Sequence, residues 1–537
     1  MKNKSLLIVA VTAMMGLGAC GATGGDDPSG GGSGQIGGDS TSGGGGIIIP
    51  SSHKPAVVDQ DLPTDDPSSP VNIVFWHCLG HEKTKNLQKV VDAYNAKYAG
   101  KYNLVLEHPA GEYSSLHDVV KTRLASGEVP ALTMGYPDSF SEYMTSRLTD
   151  SFLLRLDNFL KDPNYGYTEA EIADFVPGYY NEGNNYQFTG TWSMPMYKST
   201  EVVYYNYSYF MGVNPLNAAK FKNDSAFMRL YNAANGRTFE NDDGTLQDDL
   251  EAVRDYAKAN GGYTYTLPTT WDETITLARQ MNADRKTMKI TDRFYPFGYD
   301  SDANLLISQM AQRNIPYTVN DDASRSDPKK HFVFDNAQAK ALVEEIVGYI
   351  REKIMITKNS LGGTTYTNSF FNEGKCAFTV GSTGGSSYNI SSNFAVKLAP
   401  VPYKGVQKYI QQGPSICFFN NENAYIHKGA WLFYKMFAEA EANAQVALEN
   451  SYDPVRISSY ETTAYQQWVA YEGQGLKYDI PAMTATLKQY YITSPVFIGS
   501  STARNEIGNI IDYIINSEYS TTNAFKKALD NCYLAAK

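Results

Sequence analysis

Cysteine is scarce in this 537-residue chain: Cys20, Cys78, Cys376, Cys417 and Cys532 are widely spaced and form no C-x-x-C pair. A small scaffold stapled by disulfides is excluded, and no disulfide framework is expected. Positive charge is also in deficit. There are 46 Lys+Arg against 57 Asp+Glu, a net charge of −11, and basic residues cluster no further than pairs such as Lys329-Lys330. Without a face that tracks phosphates, nucleic acid is not expected as a partner. No segment beyond the leader approaches 18 consecutive apolar residues, so no mature membrane span is expected. Catalytic signatures are missing as well: the folded part has no G-x-S-x-G elbow, no H-E-x-x-H and no S-x-x-K set. The 57 carboxylates could supply a glycosidase pair by number alone, but their pattern singles none out. No enzymatic activity, cofactor or metal is expected.

What is present is a chain able to fold. It is 42% hydrophobic and only 19% charged, long enough for two to four domains. Tyrosine is abundant: 40 Tyr, 24 Phe and 5 Trp. Such rings, with polar tips, suit wet clefts that take polar, ring-shaped ligands, although a composition bias would give the same count.

The amino terminus reads as an address. Lys2 and Lys4 precede an apolar stretch from Leu6 to Leu17, too short to span a bilayer and ordered like a secretory signal. Leu17-Gly18-Ala19-Cys20 follows and resembles a bacterial lipobox, which makes residues 1–19 a lipoprotein signal peptide and Cys20 the lipidated residue. Thirteen of residues 21–50 are Gly. Residues 20–69 are therefore expected to form a flexible tether, with an r.m.s. reach of roughly 40 Å. The expected location is the cell membrane, lipid-anchored, on its extracellular or periplasmic side.

The folded part opens as β-α-β-α-β. Val71–Trp76 is a β-rich run, and Leu87, Val90, Val91 and Tyr94 then fall on one face of a helix closed by Gly100. Leu104–Leu106, a second helix with Leu116, Val119, Val120 and Leu124, and Ala131–Met134 complete the pattern. This is an α/β fold with a parallel sheet, in which ligands bind at the carboxyl ends of the strands. Those ends carry Trp76 and His77, Glu112 and Tyr113, and Tyr136 and Asp138, each pairing an aromatic with a polar group. Trp76 fits either the core or the crevice. His77 and His81 lie four apart beside Glu82, but Leu79-Gly80 between them suggests a turn, so metal ligation is not expected.

Trp192 is either core packing or a stacking platform; its Gly and Ser neighbours favour a surface turn. Tyr299 and Asp300 end a further strand, and the Ala377–Val380 strand runs into Gly381-Ser382-Thr383-Gly384-Gly385-Ser386. That glycine-rich end can offer backbone N–H groups to phosphate or to sugar hydroxyls, and it is no P-loop because no Gly-Lys-Ser/Thr follows.

Several segments, in order, resemble the family 1 extracellular solute-binding proteins, the lipoprotein receptors of carbohydrate ABC importers. They are Ile73–His77, Leu124–Pro130, Met194–Asn206, Pro268–Glu273 with a capping box between Thr270 and Glu273, Phe371–Phe378, Gln412–Ser415 and Tyr452–Arg456. The resemblance covers about residue 70 to the end. It implies a periplasmic-binding-protein-like fold of two α/β lobes joined by hinge crossovers around a ligand cleft. Lobe 1 takes 70–197 and 411–455. Lobe 2 takes 198–410 and 456–537, with an extra helical insertion at about 212–266.

The resemblance also implies ligand contacts at Tyr113, Asp138, Ser199, Gly413, Tyr452 and Arg456, and a partnership with ABC permease subunits, the protein acting as a monomer. In the glycerol-phosphate branch an arginine before the late helix meets the phosphate; here Ser500 takes that place and Arg504 lies a turn later. A neutral mono- or oligosaccharide is the preferred ligand. A phosphorylated polyol, or a surface glycan held without transport, are the alternatives.

Overall fold

The computed structural model describes residues 59–144, 151–471 and 475–536. The leader, Cys20 and most of the expected tether lie outside them. The tether's last part does not behave as one. From Asp59 the chain is docked on the first lobe: Leu62 is buried, Asp59 pairs with Arg155, and Asp66 pairs with Lys101 and Lys428. The correction has a plain cause. Beyond the Gly-rich run the segment carries an apolar side chain and carboxylates that find partners.

The strands, in chain order, are β1 (Val71–Trp76), β2 (Tyr102–Glu107), β3 (Leu132–Gly135), β4 (Met194–Pro195), β5 (Ser199–Asn206) and β6 (Tyr295–Tyr299). They continue with β7 (Met355–Thr357), β8 (Cys376–Ser382), β9 (Val396–Pro400), β10 (Tyr409–Gln412), β11 (Ser415–Phe418) and β12 (Tyr491–Ile492). They form two sheets. The first runs β2-β1-β3-β11-β4, with β1 parallel to β2 and β3, and β11 antiparallel to β3 and β4. The second runs β12-β10-β5-β8-β6-β7, with β9 also on β5.

The expected opening is present. Helix α1 (His81–Lys97) buries Leu87, Val90, Val91 and Tyr94 and gives way to Gly100 at φ +81°. Helix α2 (Tyr113–Ala125) buries Leu116, Val120 and Leu124. Both helices lie between parallel strands, as right-handed crossover units require. The capping box at Thr270 and Glu273 is also present, with the Thr270 N–H donating to the Glu273 carboxylate at 3.1 Å.

Each sheet organises its own core. One cluster centres on Ile73, Phe75, Leu132, Ile416 and Trp431; the other centres on Val203, Trp271, Phe297, Phe378 and Ile507. Full burial of a large aliphatic or Phe side chain contributes roughly 1.5–3 kcal/mol, so each lobe carries its own apolar driving force. A smaller cluster, including Phe227, Leu250 and Val253, joins the helices Ser225–Ala234 and Leu246–Ala259 where the insertion was expected.

Candidate functional site

The two sheets are connected where the chain passes between them. Tyr197 and Lys198 lead from β4 into β5, and Gly413 and Pro414 lead back from β10 to β11. The segments lie so close that a Cβ on Gly413, at φ +91°, would stand 2.7 Å from the Tyr197 carbonyl oxygen. Asp453 makes a third strand of this hinge by exchanging backbone hydrogen bonds with Lys198 at 2.9 and 2.6 Å. Beneath it, the fully buried Lys198 ammonium donates to the Glu182 carboxylate, to Ser415 Oγ at 2.9 Å and to the Gly413 carbonyl at 3.3 Å.

Above the hinge lies a small cavity of about 40 Å³ whose lining includes Tyr136, Asp138, Glu182, Gln411, Gln412 and Arg504. Gln411 and Gln412 are 6% and 3% exposed, and no amide oxygen or nitrogen of either side chain has a hydrogen-bond partner among the described residues. A buried unpaired amide costs free energy, and it carries both donors and an acceptor. Two of them side by side mark a place prepared for a polar ligand.

Charge in the cavity is balanced. Burial raises the pKa of the Asp138 carboxyl, while Arg504 and His117 oppose that shift. The Arg504 guanidinium lies 5.7 Å from the Tyr136 ring centre and donates to Asn304 Oδ1. Among the described residues lining the cavity Arg504 is the one cation, and its charge acts on the Asp138 carboxyl, while Lys198 beneath is neutralised by Glu182. The site suits neutral, hydroxyl-rich molecules. Tyr113, whose buried hydroxyl has no partner among the described residues, stacks its ring obliquely on Tyr136 at 4.6 Å.

Tyr113 also borders a second space of about 360 Å³ at the cleft mouth, with Lys83 and Tyr452. Here the lobes touch. Lys83 Nζ donates to the Gly384 carbonyl at 2.8 Å, and Ser386 and Ser451 share a hydrogen bond at 3.0 Å. A Cβ on Gly384 would enter the Tyr452 ring at 2.7 Å, which explains glycine at that point. A larger cavity of about 440 Å³, with Phe239, Phe394, Leu476 and Met483 in its wall, lies away from the hinge. The interlobe cavity is the better candidate despite its smaller size, because both residues with unpaired buried amides, Gln411 and Gln412, are in its lining.

The residues expected to form a site divide. Tyr113, Tyr136, Asp138, Gly384, Gly413 and Tyr452 are brought together around the interlobe space. Trp76 is 1% exposed, donates to Glu107 at 2.8 Å and lies under the Arg123 guanidinium. Trp192, also 1% exposed, donates to the Phe188 carbonyl, so it takes the core alternative and not the surface turn. Arg456 packs on Phe175 and Tyr167 and donates to the Ala438 and Glu171 carbonyls, which engages it inside the first lobe. Glu112 is the N-cap residue of α2, five residues past the end of β2 and not on the strand itself.

His77 is buried, and burial with His108 nearby lowers its pKa to about 4. The neutral ring accepts from the Leu79 N–H at Nδ1, and His81 is exposed on α1. Tyr299 donates to Glu201, and Asp300 accepts from both the N–H and the hydroxyl of Thr367 at 3.0 Å. Ser199 and Ser382 meet at 3.4 Å, and Thr383 Oγ1 accepts from the Thr200 N–H at 3.4 Å. These residues build the second lobe's side of the hinge.

Gln411, Gln412, Glu182 and Arg504 were missed. The signal for the glutamines was adjacency to the Gly413 crossing. For Arg504 it was the turn that separates it from Ser500, which puts both near the first residues of the helix Ser500–Ile515. Glu182 carried no signal beyond its charge.

The fold has solved counterparts. The cyclic alpha-maltosyl-1,6-maltose binding protein from Arthrobacter globiformis aligns with a TM-score of 0.60 at 15% identity, covering 87% of this chain and 99% of that one. UgpB from Mycobacterium tuberculosis, solved with glycerophosphocholine, aligns at 0.60 and 14%, covering 87% and 98%. Maltose-bound MalE3 from T. maritima aligns at 0.57 and 13%, covering 86% and 99%. At these identities the likeness establishes the fold, the two-lobed architecture of periplasmic binding proteins. No curated protein sequence matches the chain. A family model described as bacterial extracellular solute-binding protein matches residues 89–473, most of the folded part. By that match the chain belongs to the bacterial extracellular solute-binding proteins.

Proposed function

We propose that the protein captures a neutral mono- or oligosaccharide between its lobes and delivers it to the permease of an ABC importer. The observation that carries this reading is the pair of buried, unpartnered amides at Gln411 and Gln412, beside Asp138 in a cavity whose charges cancel. Sugar hydroxyls both donate and accept, as the amides do, while Tyr113 and Tyr136 offer ring faces. Solved proteins of the same fold bind maltose and cyclic maltosyl-maltose. The family is one of binding proteins, not enzymes, and acts outside the cytoplasm.

Capture requires that ligand favour the closed form over the open one, and hence that both lobes touch it. Asp138 stands on the first lobe and Arg504 on the second. Among the described residues no helix is long and apolar enough to cross a membrane. Attachment through a diacylated Cys20 would keep the receptor near its permease. Cys20→Ser is expected to move the protein from the detergent phase to the aqueous phase in Triton X-114 partitioning; retention in the detergent phase would remove the anchor from this account.

The reading is tested by calorimetry with mono-, di- and oligosaccharides beside glycerol-3-phosphate. Heat is expected with a neutral sugar, and Asp138→Ala is expected to weaken that binding by about 1–3 kcal/mol through loss of a buried acceptor. Binding of glycerol-3-phosphate alone would transfer the proposal to phosphorylated polyols. An unchanged affinity in Asp138→Ala would take that residue out of the site.

A further inference from the structure

We propose that Glu201, which does not line the cleft cavity, is a positioning residue that acts through Asn304 to hold the Arg504 guanidinium at the ligand. This inference rests on the sugar-binding reading of the cleft.

The geometry is a relay of directed hydrogen bonds. Glu201 lies on β5, just past the hinge crossing, and is 3% exposed. Its Oε2 accepts from Tyr299 Oη at 2.5 Å and its Oε1 accepts from Asn304 Nδ2 at 2.8 Å. Asn304 is fully buried on the helix Asp302–Gln312, and its Oδ1 accepts from Arg504 Nη2. A carboxylate can only accept. Facing one, Asn304 must present its NH2, so its oxygen is left to face Arg504. If Glu201 were replaced by an amide, Asn304 could turn over and offer NH2 to a guanidinium that has only donors. The Glu201 carboxylate and the Arg504 guanidinium therefore fix Asn304 from both sides, and losing the acceptor-only carboxylate removes one of the two constraints that keep its oxygen on Arg504.

The groups that face Glu201 are few. Tyr299 and Asp300 come from the end of β6, Asn304 and Arg504 come from the two helices behind, and Ser382 stands opposite on β8. Burial raises the Glu201 pKa to about 7, against the pull of the Tyr299 and Asn304 bonds and the Arg504 charge, with Asp300 adding to the rise. The ionised form, which orders Asn304, is thus gained as pH rises through about 7 and lost as it falls. Asp138, across the cavity from Arg504, also has a raised pKa; replacing Glu201 separates the two contributions.

The test has a ligand-free and a ligand-bound arm. In a crystal structure of unliganded Glu201→Gln, Arg504 is expected to have left Asn304 Oδ1; an unchanged Arg504–Asn304 bond would overturn the proposal whatever the cleft binds. In calorimetry with the sugar that binds best, Glu201→Gln is expected to weaken binding on the order of tenfold at pH 8. It is also expected to flatten the loss of affinity predicted for the natural protein between pH 8 and pH 6. Tyr299→Phe removes one donor to the carboxylate and should move the midpoint of that loss to higher pH. Identical affinities and pH profiles in all three proteins would overturn the positioning role. Absence of sugar binding by the natural protein would count against the sugar reading alone, since the crystallographic arm decides the relay independently.

Discussion

Replacing Lys198 with methionine is expected to destabilise the protein by about 3–5 kcal/mol, measured by urea denaturation, because it strands a buried carboxylate. Lys198 is fully buried, and Glu182 is 8% exposed. The attraction between them mostly offsets the cost of bringing both out of water, so the pair adds little net stability. Removing one member exposes that cost in full. The double replacement Lys198→Met with Glu182→Leu is therefore expected to recover most of the loss, and the coupling energy from the four-protein cycle measures the pair. If the single and double variants were equally destabilised, the ion pair would not be the source. Lys198 has other partners, Ser415 Oγ and the Gly413 carbonyl, so the recovery should fall short of complete.

Gly413→Ala is the second large effect, about 2–4 kcal/mol of stability together with a loss of ligand affinity. Two costs add. A residue with a Cβ at φ +91° leaves its preferred backbone region, at about 1–2 kcal/mol. The new methyl would also stand 2.7 Å from the Tyr197 carbonyl oxygen and 2.8 Å from the Lys198 Cα, and both neighbours are backbone that no rotamer can move. Relief can come only from separating the two crossings, and Gln411 and Gln412 are carried on one of them. Melting temperature and calorimetric affinity should fall together. A variant as stable as the natural protein, with unchanged affinity, would show that the crossings are free to part.

The sequence made the α/β opening legible because burial there has a clean period. Leu87, Val90, Val91 and Tyr94 all fall on one helical face, and β1 alternates before its buried end. The hinge was legible only through the family resemblance of Met194–Asn206 and Gln412–Ser415, and the close approach of two backbones at Gly413 gives the physical reason for the glycine there. The site was harder to read. Strand-end logic brought Tyr136 and Asp138 to the cleft, but it also selected Trp76, and the Gly and Ser neighbours of Trp192 selected that residue; both indoles are held by internal acceptors. A tryptophan that packs and one that stacks on a ligand look alike in sequence. Gln411 and Gln412 offered no more than their adjacency to Gly413, for the opposite reason: an amide acquires meaning only when its surroundings withhold a partner, and that depends on elements from distant parts of the chain.

The docked entry segment has a mechanical consequence. Leu62 in the core, Asp59 on Arg155 and Asp66 on Lys101 and Lys428 tie the chain's arrival point to the first lobe only. Any tension applied from the amino-terminal side is discharged into those contacts and does not run across the hinge. The first lobe is then the stationary jaw and the second the moving one, so a pull arriving at Asp59 shifts the protein bodily without prising the cleft open.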